Sequence, residues 1–216
     1  MIPVNLTKVM TAASATAVVN AGALAAAGNL TLNGGSVSGG VATFTTQRRL
    51  ALTSGGNDSA RRATVVGTND DGAIISETVQ LTSAGTANSV LDYKTVTRVG
   101  VDGAIATTIS IGTTTTGSTR WVRCNTNLTP FAVNVSTQLS GSVTYQGEST
   151  CDDFWSAPSG PTLNVTSTIN VATPIASGSA AGVTALTNPI TGVRLTITAG
   201  TGTLTAQVVQ AGITNR

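Results

Sequence analysis

Histidine is absent from this chain. With it go the commonest general base, the usual activator of a nucleophile and the commonest zinc ligand. Aromatic residues make up 3% of the sequence, too few for the stacked-ring platforms that grip single-stranded nucleic acid. Charge is as scarce: Asp, Glu, Lys and Arg together are 9%, the net charge is +2, and the charged residues are scattered along the chain. Such a chain lacks the concentrated positive charge that a phosphate backbone demands, so sequence-specific nucleic-acid binding is not expected. No apolar run approaches the ~18 residues of a membrane-spanning helix, and no membrane partner is expected. Cysteine is limited to Cys124 and Cys151, outside any C-x-x-C spacing. Zinc-ribbon and thioredoxin-like readings fall away, leaving a disulfide between the two or a pair of free thiols.

What remains is a β palette. Hydrophobic residues are 40% of the chain, weighted to Ala and Val, beside 24 Gly and abundant Thr and Ser. These residues suit pleated, half-buried strands joined by tight turns. "VRLTITA" (193–199) alternates Val193, Leu195, Ile197 and Ala199 with Arg194, Thr196 and Thr198. It turns at "GTG" and returns with Leu204, Ala206 and Val208 on one side, a hairpin with one dry and one wet face. "FAVNVSTQL" (131–139) and "LNVTSTINV" (163–171) alternate in the same way, and residues 93–111 place Tyr93, Val99, Val101, Ile105, Ile109 and Ile111 on one parity. Strands and turns at such spacing predict an all-β fold of two small antiparallel β-sandwich domains. A boundary near "GSTRWVRCNTNLTP" (117–130) gives domains at 30–122 and 123–216. The opening stretch resembles a signal peptide in having Lys8 ahead of Ala- and Val-rich sequence, but Thr, Ser and Asn break its centre. It reads as an extended arm over 1–29 with a short helix around 8–19.

Each candidate for chemistry competes with a plainer role. "NDDG" (69–72) offers oxygen ligands to calcium through Asp70 and Asp71, yet it lacks the dozen-residue ligand spacing, and Asp71–Gly72 is a favoured pair for a tight hairpin turn. Glu77 shares parity with Ile75, Val79 and Leu81, which places it at a sheet edge or against Arg61 or Arg62. Asp152 and Asp153 stand beside Phe154 and Trp155, a combination found in glycosidases and sugar sites. Neighbouring strand residues point to opposite faces, so the better reading is an aromatic plug at a core edge or interface. Trp121, Tyr145, Phe154 and Trp155 are the candidate glycan or interface contacts. Arg48, Arg49, Arg61 and Arg62 form a basic patch only if their two segments pair. The six N-x-S/T sequons are what a Thr- and Ser-rich chain produces by chance, and "GTTTTGST" lacks the Lys of a phosphate cradle. No nucleophile, base and orienting group assemble, so neither enzymatic activity, a metal nor a cofactor is expected.

Two stretches resemble a known kind of protein. "LALTSGGNDSARRATVVGTNDDGAIISETVQLTSAGTANSVLDYKTVTRVGVDGA" (50–104) carries a "GNDS" loop, an "I-S-E-T" hairpin and a "Y-K-T-V-T" strand. "PITGVRLTITAGTGTLTAQVVQAG" (189–212) carries a "V-R-L…T-A-G-T-G…Q-A-G" hairpin. Both resemble β-rich structural proteins of tailed bacteriophage virions, differing in Val209 and in the basic "ARRAT". The resemblance implies a virion component, assembled in the bacterial host cytoplasm: a capsid decoration or cement protein, a head spike, or a neck or tail piece. It implies homo-oligomerisation and partners among the major capsid protein or neck and tail proteins, and it brings no catalytic residues. A glycan-binding host-surface adhesin is the reading that uses Trp155, Trp121 or Tyr145 instead.

Overall fold

The structure, a computed structural model, describes residues 3–151 and 171–214. Every regular element in these residues is a β-strand, and the strands pair antiparallel. They form two compact units: an inserted unit, residues 12–114, and a split unit, which joins residues 3–11 to 115–151 and 171–214. Helix formation has no support here because apolar residues recur with period two and β-branched Thr and Val dominate.

The chain begins with β1 (Val4–Met10), a strand of the split unit, and then enters the inserted unit. There β2 (Ser14–Gly22), β3 (Gly28–Asn29), β4 (Val37–Ser38), β5 (Val41–Arg48) and β6 (Leu50–Ser54) are followed by β7 (Arg62–Thr68), β8 (Ile74–Gln80), β9 (Thr86–Asn88), β10 (Tyr93–Val101) and β11 (Ile109–Thr113). One sheet runs β4-β5-β10-β7-β8 with β3 added to β10, and the other runs β2-β11-β6-β9. Their inner faces meet in one core that includes Val18, Val19, Leu50, Leu52, Val65, Tyr93, Val96, Val99, Ile109 and Ile111. Val96 lies on the opposite parity from Tyr93, Val99 and Val101, yet all four are buried. Irregularities in β10 between Tyr93 and Thr95 and between Val96 and Arg98 reset the alternation, as a bulge does.

The split unit continues with β12 (Gly117–Ser118), β13 (Val122–Arg123), β14 (Leu128–Gly141), β15 (Thr144–Thr150), β16 (Val171–Gly178), β17 (Gly182–Leu186), β18 (Gly192–Ala199) and β19 (Gly202–Thr214). A four-stranded sheet, β1-β19-β14-β17, and a five-stranded one, β12-β18-β15-β16 with β13 on β18, enclose a second core around Val133, Val135, Leu195, Ile197, Leu204 and Val208. Each unit is thus a pair of antiparallel sheets over its own apolar interior, the arrangement of a sandwich.

Several expectations change. The helix around 8–19 is replaced by β1 and β2, because Leu6 and Met10 alternate inward and Ala17, Val18 and Val19 are buried against β11. Residues 4–22, read as an arm, are therefore paired in two sheets. The chain leaves the inserted unit at Thr114–Thr115, a few residues before the boundary read from sequence. "VRLTITA" departs from strict alternation: Thr196 is buried as deeply as its apolar neighbours, with its hydroxyl hydrogen-bonded to Ser118 Oγ at 2.9 Å, and Ala199, read as facing inward, is exposed where the strand ends. The tight two-residue turn falls at Gly39–Gly40, where both φ angles are positive, between the paired Ser38 and Val41. In "NDDG" only Gly72 has positive φ, at 78°. That loop is longer, and Asn69 Oδ1 builds it by accepting the amides of Asp71 (3.0 Å) and Ala73 (2.9 Å). All but Val171 of the "LNVTSTINV" strand lies outside the described residues.

Candidate functional site

Buried charge is the first place to look for chemistry. In the inserted unit, β8 turns Glu77 inward between Ile75 and Val79. Its two carboxylate oxygens accept the amides of Val90 (2.8 Å) and Leu91 (2.9 Å), closing the turn before β10. Burial pushes this carboxyl above its usual range, and the two amides and Arg49 pull against that shift. Of the two sequence readings, the sheet edge is the one seen, and the partners are backbone amides instead of Arg61 or Arg62. Asp58, in the "GNDS" loop, accepts the amide of Ala106 at 2.8 Å. Asn57 Oδ1 accepts from the Ser59 hydroxyl at 2.8 Å. These carboxylates hold loops in place.

In the split unit, Glu148 of β15 and Arg194 of β18 lie opposite each other in register. Arg194 Nε donates to Glu148 Oε2 at 2.6 Å, and Gln146 Nε2 donates to Oε1 at 3.0 Å. Burial alone would raise the Glu148 carboxyl, but Arg194 and hydrogen bonds from Gln146 and Thr196 hold it below its usual range. The Arg194 guanidinium stacks over Trp121, 4.6 Å from the ring centre. Trp121 is only 9% exposed. Tyr145 is buried too, its hydroxyl 2.7 Å from Thr137 Oγ1 and donating to Ala180 O at 3.3 Å. Of the four candidate contact residues, these two are therefore core side chains. Phe154 and Trp155, with Asp152 and Asp153, lie outside the described residues.

The remaining candidates are also placed. Asp70 pairs with Lys94 at 3.5 Å, and the acidic tip is a hairpin loop. The arginine segments do not pair, and their side chains disperse. Arg48 is buried and donates to Ala12 O and Thr113 Oγ1, Arg49 faces Asp92, Arg61 donates to Ala104 O, and Arg62 donates to Gln80 Oε1. Both cysteines are free thiols, Cys124 buried and Cys151 exposed. Among the described residues no three His, Cys, Asp or Glu side chains gather as a metal site.

One cleft of about 540 Å³ opens in the split unit, lined by Val4, residues 123–127 and Gln210. Its floor is a closed polar exchange: Gln210 Oε1 accepts the Asn125 amide at 2.8 Å, and Nε2 donates back to Asn125 O at 2.6 Å. Burial raises the Cys124 thiol beside it to about 11, so that sulfur is not a thiolate at neutral pH.

A surface with a distinctive chemistry is the outer face of β1-β19-β14-β17. Alternation turns Asn5, Thr7 and Val9 outward from β1, Thr203, Thr205, Gln207 and Val209 from β19, Asn134, Ser136 and Gln138 from β14, and Val183 and Ala185 from β17. None of these side chains is charged. Gln207 Nε2 and Asn5 Oδ1 are bonded across it at 3.2 Å. Covering such a face strands no ion, and its hydroxyls and amides both donate and accept. Sequence reasoning assigned the β14 and β19 residues to strands but Asn5, Thr7 and Val9 to an arm, and it missed the surface because no single segment contains the face.

No protein-family model, curated protein or solved structure matches the chain.

Proposed function

We propose that the chain is a non-enzymatic structural subunit of a tailed-bacteriophage virion, a capsid decoration or cement protein that stabilises the shell through repeated protein–protein contacts. The observation that carries this reading is the uncharged outer face of β1-β19-β14-β17. Interface cores are depleted in charge relative to the rest of a protein surface, and here four adjacent strands supply such a patch. The resemblance of residues 50–104 and 189–212 to virion proteins supplies the kind of assembly. A lattice of identical neighbours multiplies modest contacts, so no deep pocket is needed.

Quantitative mass spectrometry and imaging of particles purified from cells producing the chain test the reading. The expected result is incorporation in a multiple set by the shell's symmetry. Copies amounting to a single ring move the assignment to the neck or tail, and absence from particles overturns it. Replacing Asn134 and Gln207 by Lys is expected to reduce incorporation while leaving the isolated protein folded, since both side chains point outward.

A further inference from the structure

A rim strand exposes unpaired backbone donors and acceptors, and natural sheets blunt their rims with brevity, inward charges, bulges, proline or a covering segment. Most rims described here carry such a device. β1 turns Lys8 inward, 1% exposed, and β8 turns Glu77 inward. An inward charge disfavours a further strand laid alongside, which would carry the charge still farther from water. β4, β12 and β13 are two residues each, and β9 is three. β2 is irregular against β11, and its free side is occupied by residues 34–36, whose amides donate to Val18, Thr16 and Ala17 carbonyls. β16 contains Pro174 and shifts register twice against β15.

Among the described residues, β17 shows none of these. It pairs with β14 over five residues in unbroken register, from Gly182–Thr137 to Leu186–Val133. No charged residue or proline lies within it, and no charge occurs anywhere from Val171 to Val193. Val183 is 73% exposed on its outer side, beside the exposed Ala185, while Leu186 anchors the strand inward.

We propose that β17 pairs with β17 of a second copy of this chain, antiparallel about a two-fold axis, joining two four-stranded sheets into one. A second copy fits because a two-fold contact sets the same patch against itself, which an uncharged strand accepts without repulsion. The joined sheets also extend the uncharged outer face across both copies. The proposal deepens the assembly reading above and rests on it for its purpose in the particle.

Sedimentation velocity on the full chain over a concentration series is the test. The expected result is a dimer in which Val183→Lys with Ala185→Lys raises the dissociation constant by about tenfold or more, while Val183→Thr leaves it unchanged. Because both side chains are exposed, the melting temperature of the double variant should match the parent at concentrations low enough for both to be monomeric. Hydrogen exchange on the unaltered chain gives an independent readout: amides within 182–186 gain protection as concentration rises. A chain that stays monomeric, a dimer equally tight in the double variant, or exchange in 182–186 independent of concentration overturns the pairing. A monomeric chain that still enters particles sinks the pairing and leaves the assembly reading standing. A β17-dependent dimer that never enters particles does the reverse.

Discussion

The ionisable residues that interrupt the cores act on the fold, each with a sign that can be tested. Glu148 is held by Arg194 and Gln146, and its carboxyl lies below the usual range. A lowered carboxyl contributes stability that is fully present above its unfolded value and is lost as pH falls through the folded one. Urea denaturation between neutral and acid pH should therefore show an acid limb that Glu148→Gln flattens. Glu148→Ala, which leaves the half-buried Arg194 guanidinium without its carboxylate, is expected to destabilise the split unit by about 2–3 kcal/mol. Glu77 has the opposite sign, because its folded carboxyl is raised. Its ionisation opposes folding as pH rises from the unfolded carboxylate range through the folded value, and acidification through that window relieves the penalty. Thermal unfolding across that window should show this contribution in the parent and not in Glu77→Gln. That variant also loses about 1.5–3 kcal/mol at neutral pH, since its amide nitrogen faces a backbone N–H it cannot accept. Reading these positions from sequence went only part of the way. Glu77's inward parity left a sheet edge or a partner in Arg61 or Arg62 open; the edge is seen, but its amide partners, thirteen and fourteen residues on, come from tertiary folding. The Glu148–Arg194–Trp121 stack joins three separated segments and left no local signal.

At the scale of the element, alternation made most strands legible and failed where the backbone departs from regularity. Val133, Val135, Leu195, Ile197, Leu204, Ala206 and Val208 are buried as their parity indicates. Val96 and the Ala17–Val18–Val19 run are buried against parity because irregular pairing resets the period, and nothing in the side chains announces a bulge. The acidic hairpin tip was legible as a turn but not as its type. Its side chains make separable predictions: Asn69→Ala, which removes the oxygen that accepts two backbone amides, and Gly72→Ala, which forces a β-carbon into positive φ, should each destabilise by about 1 kcal/mol. Asp71→Ala should leave stability within about 0.5 kcal/mol. Added calcium should leave the melting temperature of the parent unchanged, since Asp70 is engaged with Lys94 and the loop supplies no ligand cage.

For the whole molecule, the fold class was readable from composition and period, whereas the ownership of the first strand was not. The pairing of Val4–Met10 with Gly202–Val208 joins segments that share no local pattern. Residues 12–114 contain every described strand of both their sheets and their own core, so this fragment expressed alone should unfold cooperatively and keep a β circular-dichroism spectrum. Removal of residues 1–11 should lower the melting transition of the split unit and spare that of the inserted one, because it takes Leu6 and Met10 from a single core. The same pairing sets a timetable during translation. β1 leaves the ribosome about two hundred residues ahead of β19, a wait on the order of ten seconds or more at ordinary elongation rates. Until its mate arrives, the nascent strand shows water the lysine it will later hide, and a charge at that position opposes burial of the waiting segment against a wrong neighbour.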